Sequence, residues 1–72
     1  MNSLRIFLAD DHTVMRAGLK SLVNAQADMD VIGEADNGRL TLQRVRELQP
    51  DVIILDISMP DLNGIQVTER LK

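Results

Sequence analysis

Cysteine, tryptophan and tyrosine are absent from the 72-residue chain, and Phe7 is its only aromatic residue. The absence of cysteine excludes disulfides and thiolate metal sites. With a single aromatic ring, the chain lacks the stacking platforms on which single-stranded nucleic acid is usually bound. Its net charge of −3 also leaves no basic surface for a phosphate backbone.

Long apolar runs are missing as well. No segment approaches the roughly 20 apolar residues of a membrane span, and the N-terminus lacks the basic and then apolar pattern of a signal peptide. We therefore expect a cytoplasmic protein with no membrane partner. With 44% hydrophobic and 26% charged residues, the composition is that of a folded globular chain, and its length allows one small domain.

Apolar residues recur along the chain in a pattern that alternates strands and helices. Residues 5–9 and 52–55 are largely apolar without alternation, which is typical of strands buried on both faces of a parallel sheet. Gly33 lies in a less apolar strand and indicates an edge position or close packing. The predicted elements are strand 5–9, helix 13–24, strand 29–35, helix 39–48, strand 52–55 and a third helix after Gly64. The fold class is therefore α/β, a βαβαβα chain with a parallel sheet and right-handed crossovers.

The first two helices each carry an apolar stripe. The stripe of the first is formed by Met15, Gly18, Leu19, Leu22 and Val23. This spacing leaves Arg16, Lys20 and Asn24 for the solvent side. Asp11 is the predicted N-cap of the same helix. The stripe of the second is formed by Leu42, Val45 and Leu48, and Pro50 ends that helix.

Three aspartates stand at the C-terminal ends of the two most apolar strands. Asp10 and Asp11 follow the first strand, and Asp56 follows the third. Parallel strands lie about 4.8 Å apart and end at one edge of the sheet, so neighbouring first and third strands would bring these carboxylates together. Three anions in one place require a protonated member or a divalent cation. Oxygen ligands without cysteine or a histidine cluster favour magnesium, manganese or calcium over zinc.

Each acid also has a plainer role when it is taken alone. Asp11 could serve only as a helix cap, and Asp56 only as a loop acid, but their joint placement after two buried strands favours a functional site. An aspartate beside a bound cation can also attack a phosphoryl group and form an aspartyl phosphate. Spacing and composition leave plain metal binding and phosphoryl transfer both open.

Two motifs resemble the receiver domain of bacterial two-component response regulators. The sequence LADDH at residues 8–12 is similar to the acidic pair of that family, and LDISMPDLNG at residues 55–64 is similar to its phosphorylation loop. VIGEADNG at residues 31–38 and RAGL at residues 16–19 most resemble the NarL/FixJ, or LuxR-type, subfamily. The resemblance covers the whole chain and implies a flavodoxin-like doubly wound sheet, truncated to βαβαβα with strand order 2-1-3.

The resemblance also implies a role for each acid. Asp56 would be the phosphoacceptor that receives a phosphoryl group from a sensor histidine kinase. Asp10, Asp11, Asp56 and the backbone carbonyl of Ser58 would hold Mg²⁺ or Mn²⁺. Such a domain is not an enzyme beyond Mg²⁺-dependent self-phosphorylation and dephosphorylation, and it contacts DNA only through a C-terminal helix-turn-helix output domain. His12 is expected to be a polar surface residue.

A complete receiver has five strands and five helices, more than this chain supplies. Residues 1–72 are therefore expected to form the N-terminal part of a receiver domain, without strands 4 and 5, helices 4 and 5 or an output domain. In the family the later strands carry a hydroxyl residue and a lysine that contact the phosphoryl group, so impaired switching is expected. An uncovered third strand predicts a homodimer or a swapped assembly through that strand or the third helix.

Two rival functions remain open at the level of the sequence. A Mg²⁺-dependent phosphatase of the aspartyl-phosphate type also places an aspartate after a strand. It usually has a second aspartate two residues later, where this chain has Ser58. The other rival is a half-domain that only self-associates and whose acids have no chemical role.

Overall fold

Three strands and two helices alternate along residues 3–56, the part of the chain that the computed structural model describes. The elements are β1 (Leu4–Ala9), α1 (Thr13–Asn24), β2 (Met29–Ala35), α2 (Gly38–Leu48) and β3 (Val52–Leu55). The sequence predicted all five, and only the first residues of β1 and α2 differ, each by one position. The third helix predicted after Gly64 lies outside the described residues.

The strands form one parallel sheet in the order β2-β1-β3. This order and the α/β class confirm the predicted fold. Central strand β1 is buried from Ile6 to Ala9, as its uninterrupted apolar run requires. Ala9 pairs with Ala35 of β2 and with Leu55 of β3. The three strands therefore end at the same edge of the sheet.

The hydrophobic core lies between the sheet and α2. Its buried residues are Phe7, Ala9, Ala35, Leu42 and Val45, and Leu40, Leu48, Ile53 and Leu55 pack against them. The apolar stripe predicted for the second helix is thus the one that faces the core. Burial of an aliphatic or aromatic side chain of this size contributes about 1.5–3 kcal/mol, so this face supplies most of the apolar stabilisation.

Gly33 permits the close contact between β2 and this core. A Cβ atom at position 33 would lie 2.7 Å from Leu48 Cδ1 and 3.0 Å from the ring of Phe7. Both distances are shorter than van der Waals contact, so only glycine fits without displacement of its neighbours. The close packing predicted from this glycine is confirmed, and β2 is also an edge strand of the described sheet.

Side chains satisfy both ends of α2. At the N-terminus Asn37 is the cap, and its Oδ1 accepts a hydrogen bond from the backbone N–H of Leu40 at 2.9 Å. At the C-terminus Gln49 adopts the left-handed conformation with φ 52° and ψ 57°. The Arg5 guanidinium donates to the carbonyl oxygens of Leu48 and Gln49, which ties the helix end to β1.

Helix α1 covers the other face of the sheet and contains no buried residue. Met15 is 58% exposed and Leu22 is 67% exposed, so the predicted apolar stripe does not reach a closed core within residues 3–56. The prediction that Arg16 faces solvent is wrong, because its side chain is only 15% exposed and binds Glu34 of β2. Lys20 is exposed, as predicted, and its ammonium group also binds Glu34. The helix is therefore held to the sheet by ion pairs along this side.

The predicted capping role of Asp11 is also wrong. The N-cap of α1 is His12, and its side chain makes no capping hydrogen bond. The carboxylate of Asp11 lies instead against the His12 imidazole, 3.0 Å from Nδ1, and so belongs to the strand-end cluster. Among residues 3–56, neither helix is long and apolar enough to cross a membrane.

Candidate functional site

Asp10 and Asp56 are fixed at the edge of the sheet where the strands end. The backbone N–H of Asp10 donates to the carbonyl oxygen of Ala35 at 3.1 Å, and the backbone N–H of Asp56 donates to that of Ala9 at 2.8 Å. These bonds extend the ladder by one residue beyond each strand. The sheet therefore fixes the backbone positions of both aspartates.

Four side chains from this edge meet in one cluster. Asp10, Asp11, His12 and Asp56 each offer one ligand atom, and the four atoms all lie within 4.8 Å of one another. Asp10 is buried, whereas Asp11 and Asp56 are half-buried. The structure thus brings together the three aspartates that the sequence singled out. Ser58, the fourth predicted ligand, lies outside the described residues.

His12 contacts all three carboxylates although most of its ring is exposed. Its Nδ1 lies 3.0 Å from Asp10 Oδ1, 3.0 Å from Asp11 Oδ1 and 3.4 Å from Asp56 Oδ2. The hydrogen bond with Asp10 raises the pKa of His12 above its ordinary value, and the negative charge of Asp11 raises it further. The neighbouring carboxylates therefore favour the protonated form of the imidazole.

Sequence reasoning gave His12 no role in this cluster. The backbone N–H of His12 donates to Asp10 Oδ1 at 2.7 Å, the turn that an aspartate forms with the residue two positions later. This turn places the ring over the carboxylates. The spacing between the two residues was a usable signal, since the turn depends on nothing more distant in the chain.

The donor set of the cluster fits a hard divalent cation. Asp11 Oδ1 is buried and accepts no hydrogen bond from the described residues, although it is at ion-pair distance from His12. A buried carboxylate oxygen without a donor is costly unless a cation neutralises it. Carboxylate oxygens are the preferred ligands of Mg²⁺ and Mn²⁺, so Asp10, Asp11 and Asp56 are suited to hold either ion.

An apolar groove of about 390 Å³ opens beside the cluster. Leu8, Met15, Leu19 and Ile54 line it, and Asp10, His12 and Asp56 lie at its polar end. We refer to it as the α1–β3 groove. It is the space that the exposed apolar side of α1 faces.

An ion-pair network lies behind Asp10 on the side of β2. Arg16 Nη1 donates to the backbone carbonyl oxygen of Asp10 at 2.6 Å, and Arg16 Nε donates to Glu34 Oε1 at 2.9 Å. Lys20 Nζ donates to the other carboxylate oxygen of Glu34 at 2.9 Å. Both hydrogen bonds lower the pKa of Glu34, and the one from Lys20 has the larger effect. Sequence reasoning missed this network because it gave neither Arg16 nor Lys20 an ion-pair partner.

A parallel 2-1-3 sheet with acids at the ends of its first and third strands is the architecture expected of a receiver domain. The sequence profile of the response regulator receiver domain matches residues 6–72. The chain therefore belongs to the response regulator receiver domain family.

Curated relatives come from the NarL/LuxR group that the motifs indicated. The chain is 40% identical over 67 residues to the nitrate/nitrite response regulator protein NarL of Escherichia coli. The matched segment covers 93% of the chain and 31% of that protein. It is 36% identical over 69 residues to the response regulator protein VraR of Staphylococcus saprophyticus, and this match covers 96% of the chain and 33% of that relative. The chain thus spans about a third of the length of these relatives.

Solved structures agree with the fold. The signal receiver domain of the putative response regulator NarL from Mycobacterium tuberculosis superposes with a TM-score of 0.95 at 32% sequence identity. The match covers 99% of this chain and 57% of that one. The predicted family, its subfamily and the receiver fold are confirmed by these likenesses.

Proposed function

We propose that this receiver chain is the phosphoacceptor of a two-component system and that Asp56 takes the phosphoryl group from a sensor histidine kinase. The observation that carries this proposal is the convergence of Asp10, Asp11 and Asp56 at the ends of β1 and β3. Asp56 stands at the end of β3, an edge strand of the described sheet, and its side chain is 18% exposed. Asp10 is more deeply buried, with a side chain 9% exposed.

The reaction follows from the chemistry of the carboxylate. An oxygen of Asp56 attacks the phosphorus of a phosphohistidine, a new O–P bond forms, and the P–N bond breaks with its electron pair left on the donor imidazole. The backbone bond from Asp56 to Ala9 holds the acceptor in position during the attack. The product is an aspartyl phosphate that hydrolyses back to the carboxylate.

Asp10, Asp11 and Asp56 are the residues that would hold Mg²⁺ or Mn²⁺, with the backbone carbonyl of Ser58 as a further ligand. A bound divalent cation supplies neutralisation of the charge on the phosphoryl and acceptor oxygens. His12 contacts the same three carboxylates, so the imidazole and the ion compete for them. The buried, donor-free Oδ1 of Asp11 favours occupation by the ion.

The relatives are about three times as long as the match, which supports a modular arrangement. We propose that residues 1–72 correspond to the N-terminal part of a receiver domain in a cytoplasmic protein. In this arrangement a helix-turn-helix output domain elsewhere contacts DNA, and the kinase docks on the receiver. We propose that residues 1–72 alone do not complete the switch, because in the family the hydroxyl residue and the lysine that contact the phosphoryl group lie on later strands.

Self-association through β3 is a second candidate property. Val52 and Ile54 of this strand are 39% and 37% exposed, and β3 is an edge of the described sheet. An edge with unpaired backbone groups and exposed aliphatic side chains can pair with another chain. We propose a homodimer or swapped assembly through β3 or the predicted third helix.

Incubation with a small-molecule phosphodonor and Mg²⁺, followed by intact-mass measurement, tests the phosphoacceptor role. The wild-type chain should gain one acid-labile phosphoryl group, and Asp56→Asn should gain none. Asp36→Asn is the matched control, because Asp36 follows β2 at the same edge but is not part of the cluster. Turnover of a phosphate ester would support the phosphatase instead, and absence of an adduct despite Mg²⁺ binding would leave only a metal-binding half-site.

A further inference from the structure

Arg16 connects α1 and β2 directly to the backbone of the acidic cluster. The Arg16 side chain is only 15% exposed. Its guanidinium donates both to Glu34 Oε1 and to the backbone carbonyl oxygen of Asp10. A planar guanidinium with fixed donor directions suits two such acceptors, whereas an ammonium group is a single point charge. The two bonds therefore fix Glu34 and Asp10 relative to each other.

The carbonyl that Arg16 holds belongs to the peptide between Asp10 and Asp11. This peptide is planar, so its orientation also sets the direction in which the backbone of Asp11 continues. On the preceding side, the N–H of Asp10 is already bonded to Ala35. With both backbone groups of Asp10 held, the backbone from which the two carboxylates project cannot turn at Asp10 without loss of a hydrogen bond.

Attachment of α1 to the sheet does not by itself require Arg16. Lys20 binds the second oxygen of Glu34 at the same distance of 2.9 Å, and its side chain is 48% exposed. Lys20 makes no bond to Asp10 among the hydrogen bonds of residues 3–56. The two cations therefore share a partner but differ in their contact with the acidic pair.

We propose that Arg16, supported by Glu34, is a positioning residue for the metal centre and acts through the carbonyl of Asp10. The inference rests on the proposed function, since it concerns the same acids. Partners that orient the ligands of a metal typically change its affinity by about 10–100-fold when they are removed. The role is distinct from the helix attachment that Lys20 shares.

The test compares Arg16→Met, Arg16→Lys and the matched control Lys20→Met in the full chain. Calorimetric titration gives the dissociation constant for Mg²⁺, and urea unfolding of the metal-free protein gives stability. We expect Arg16→Met to weaken Mg²⁺ binding about 10-fold or more and Lys20→Met to change it by less than about twofold, since the Lys20 pair is exposed. The Asp11 amide ¹⁵N resonance should shift in Arg16→Met and stay in place in Lys20→Met.

Arg16→Lys separates positioning from stability. Lysine keeps the positive charge but lacks the two-acceptor geometry, so it should restore most of the unfolding free energy and little of the Mg²⁺ affinity. It also replaces Arg16→Met if that variant does not fold. Equal Mg²⁺ affinity in wild type, Arg16→Lys and Lys20→Met would overturn the role of Arg16. A wild-type chain that binds no Mg²⁺ would overturn the proposed metal centre itself and this inference with it.

Discussion

The Nδ1 atom of His12 lies 3.0 Å from Oδ1 of Asp10, so the imidazole is within hydrogen-bond distance of the most buried acid of the cluster. Asp11 and Asp56 lie within 3.4 Å of the same nitrogen. The chain's only histidine thus contacts every carboxylate of the cluster.

The first prediction concerns the pKa of His12 in metal-free protein. The Asp10 hydrogen bond and the charge of Asp11 raise it above 6.5. The stabilisation of the folded state by protonated His12 is fully present below the pKa of the unfolded state, near 6.5. It is lost as the pH rises through the raised pKa of the folded state. An NMR titration of the imidazole in the presence of a chelator measures this value. Asp10→Asn should lower it and Asp36→Asn should leave it unchanged, and a wild-type pKa at or below 6.5 would contradict the geometry.

The second prediction concerns acid stability and Glu34. Lys20 and Arg16 lower the pKa of Glu34 below 4.5. The stabilisation of the folded state by ionised Glu34 is therefore present above pH 4.5 and is lost as the pH falls through the depressed pKa of the folded state. Glu34→Gln should cost about 1 kcal/mol at neutral pH. Urea unfolding of both proteins as a function of pH should show this difference shrinking below the depressed pKa. A difference that stays constant with pH would exclude ionisation of Glu34 as its cause.

Two glycines should respond in opposite ways to alanine. Gly33→Ala places a Cβ against Leu48 and the ring of Phe7, and the overpacking should cost about 1–3 kcal/mol. Gly18→Ala lies in α1 with no atom within 4 Å of the new Cβ, and the gain in helix propensity should stabilise by about 1 kcal/mol. Thermal or urea unfolding of both variants measures the difference. Destabilisation by Gly18→Ala would show that α1 packs against something beyond the described contacts.

Self-association through β3 can be tested with a charge on its exposed side. Ile54→Lys puts an ammonium group on the edge strand, where charged residues oppose strand pairing, and should shift light scattering toward the monomer. Val14→Lys is the control, because Val14 is 86% exposed at the start of α1 and is not part of β3. A wild-type chain that is a folded monodisperse monomer would rule out the assembly.

Much of the fold followed from the sequence because its signals are local. The unbroken apolar runs of β1 and β3 and the glycine in β2 depend on neighbouring residues along the chain. The partners of Arg16 could not be predicted in this way, since Glu34 lies eighteen positions away and a charged residue with helical spacing also suits a solvent-facing side. Helix α1 combines both cases, because its bounds were predicted and its ion-paired side was not.

For the site, the strand ends predicted from the sequence correctly placed the three aspartates at the edge of the sheet where the strands end. The contact of His12 with them was not predicted, although the turn with Asp10 is local. The turn sets the position of the ring, but its contact with Asp56 also depends on the pairing of β1 with β3. A sequence assigns the members of such a cluster more readily than the contacts among them.

The claim that Asp56 is the phosphoacceptor is tested most directly by chemical trapping of the aspartyl phosphate. Borohydride reduces an acyl phosphate to the alcohol, so treatment after incubation with phosphodonor and Mg²⁺ should convert the modified aspartate to homoserine, which peptide mass spectrometry locates. Conversion at position 56, with Asp10 and Asp11 intact, is the predicted result. Conversion at position 10 or 11, or the same conversion at position 56 without phosphodonor, would contradict it.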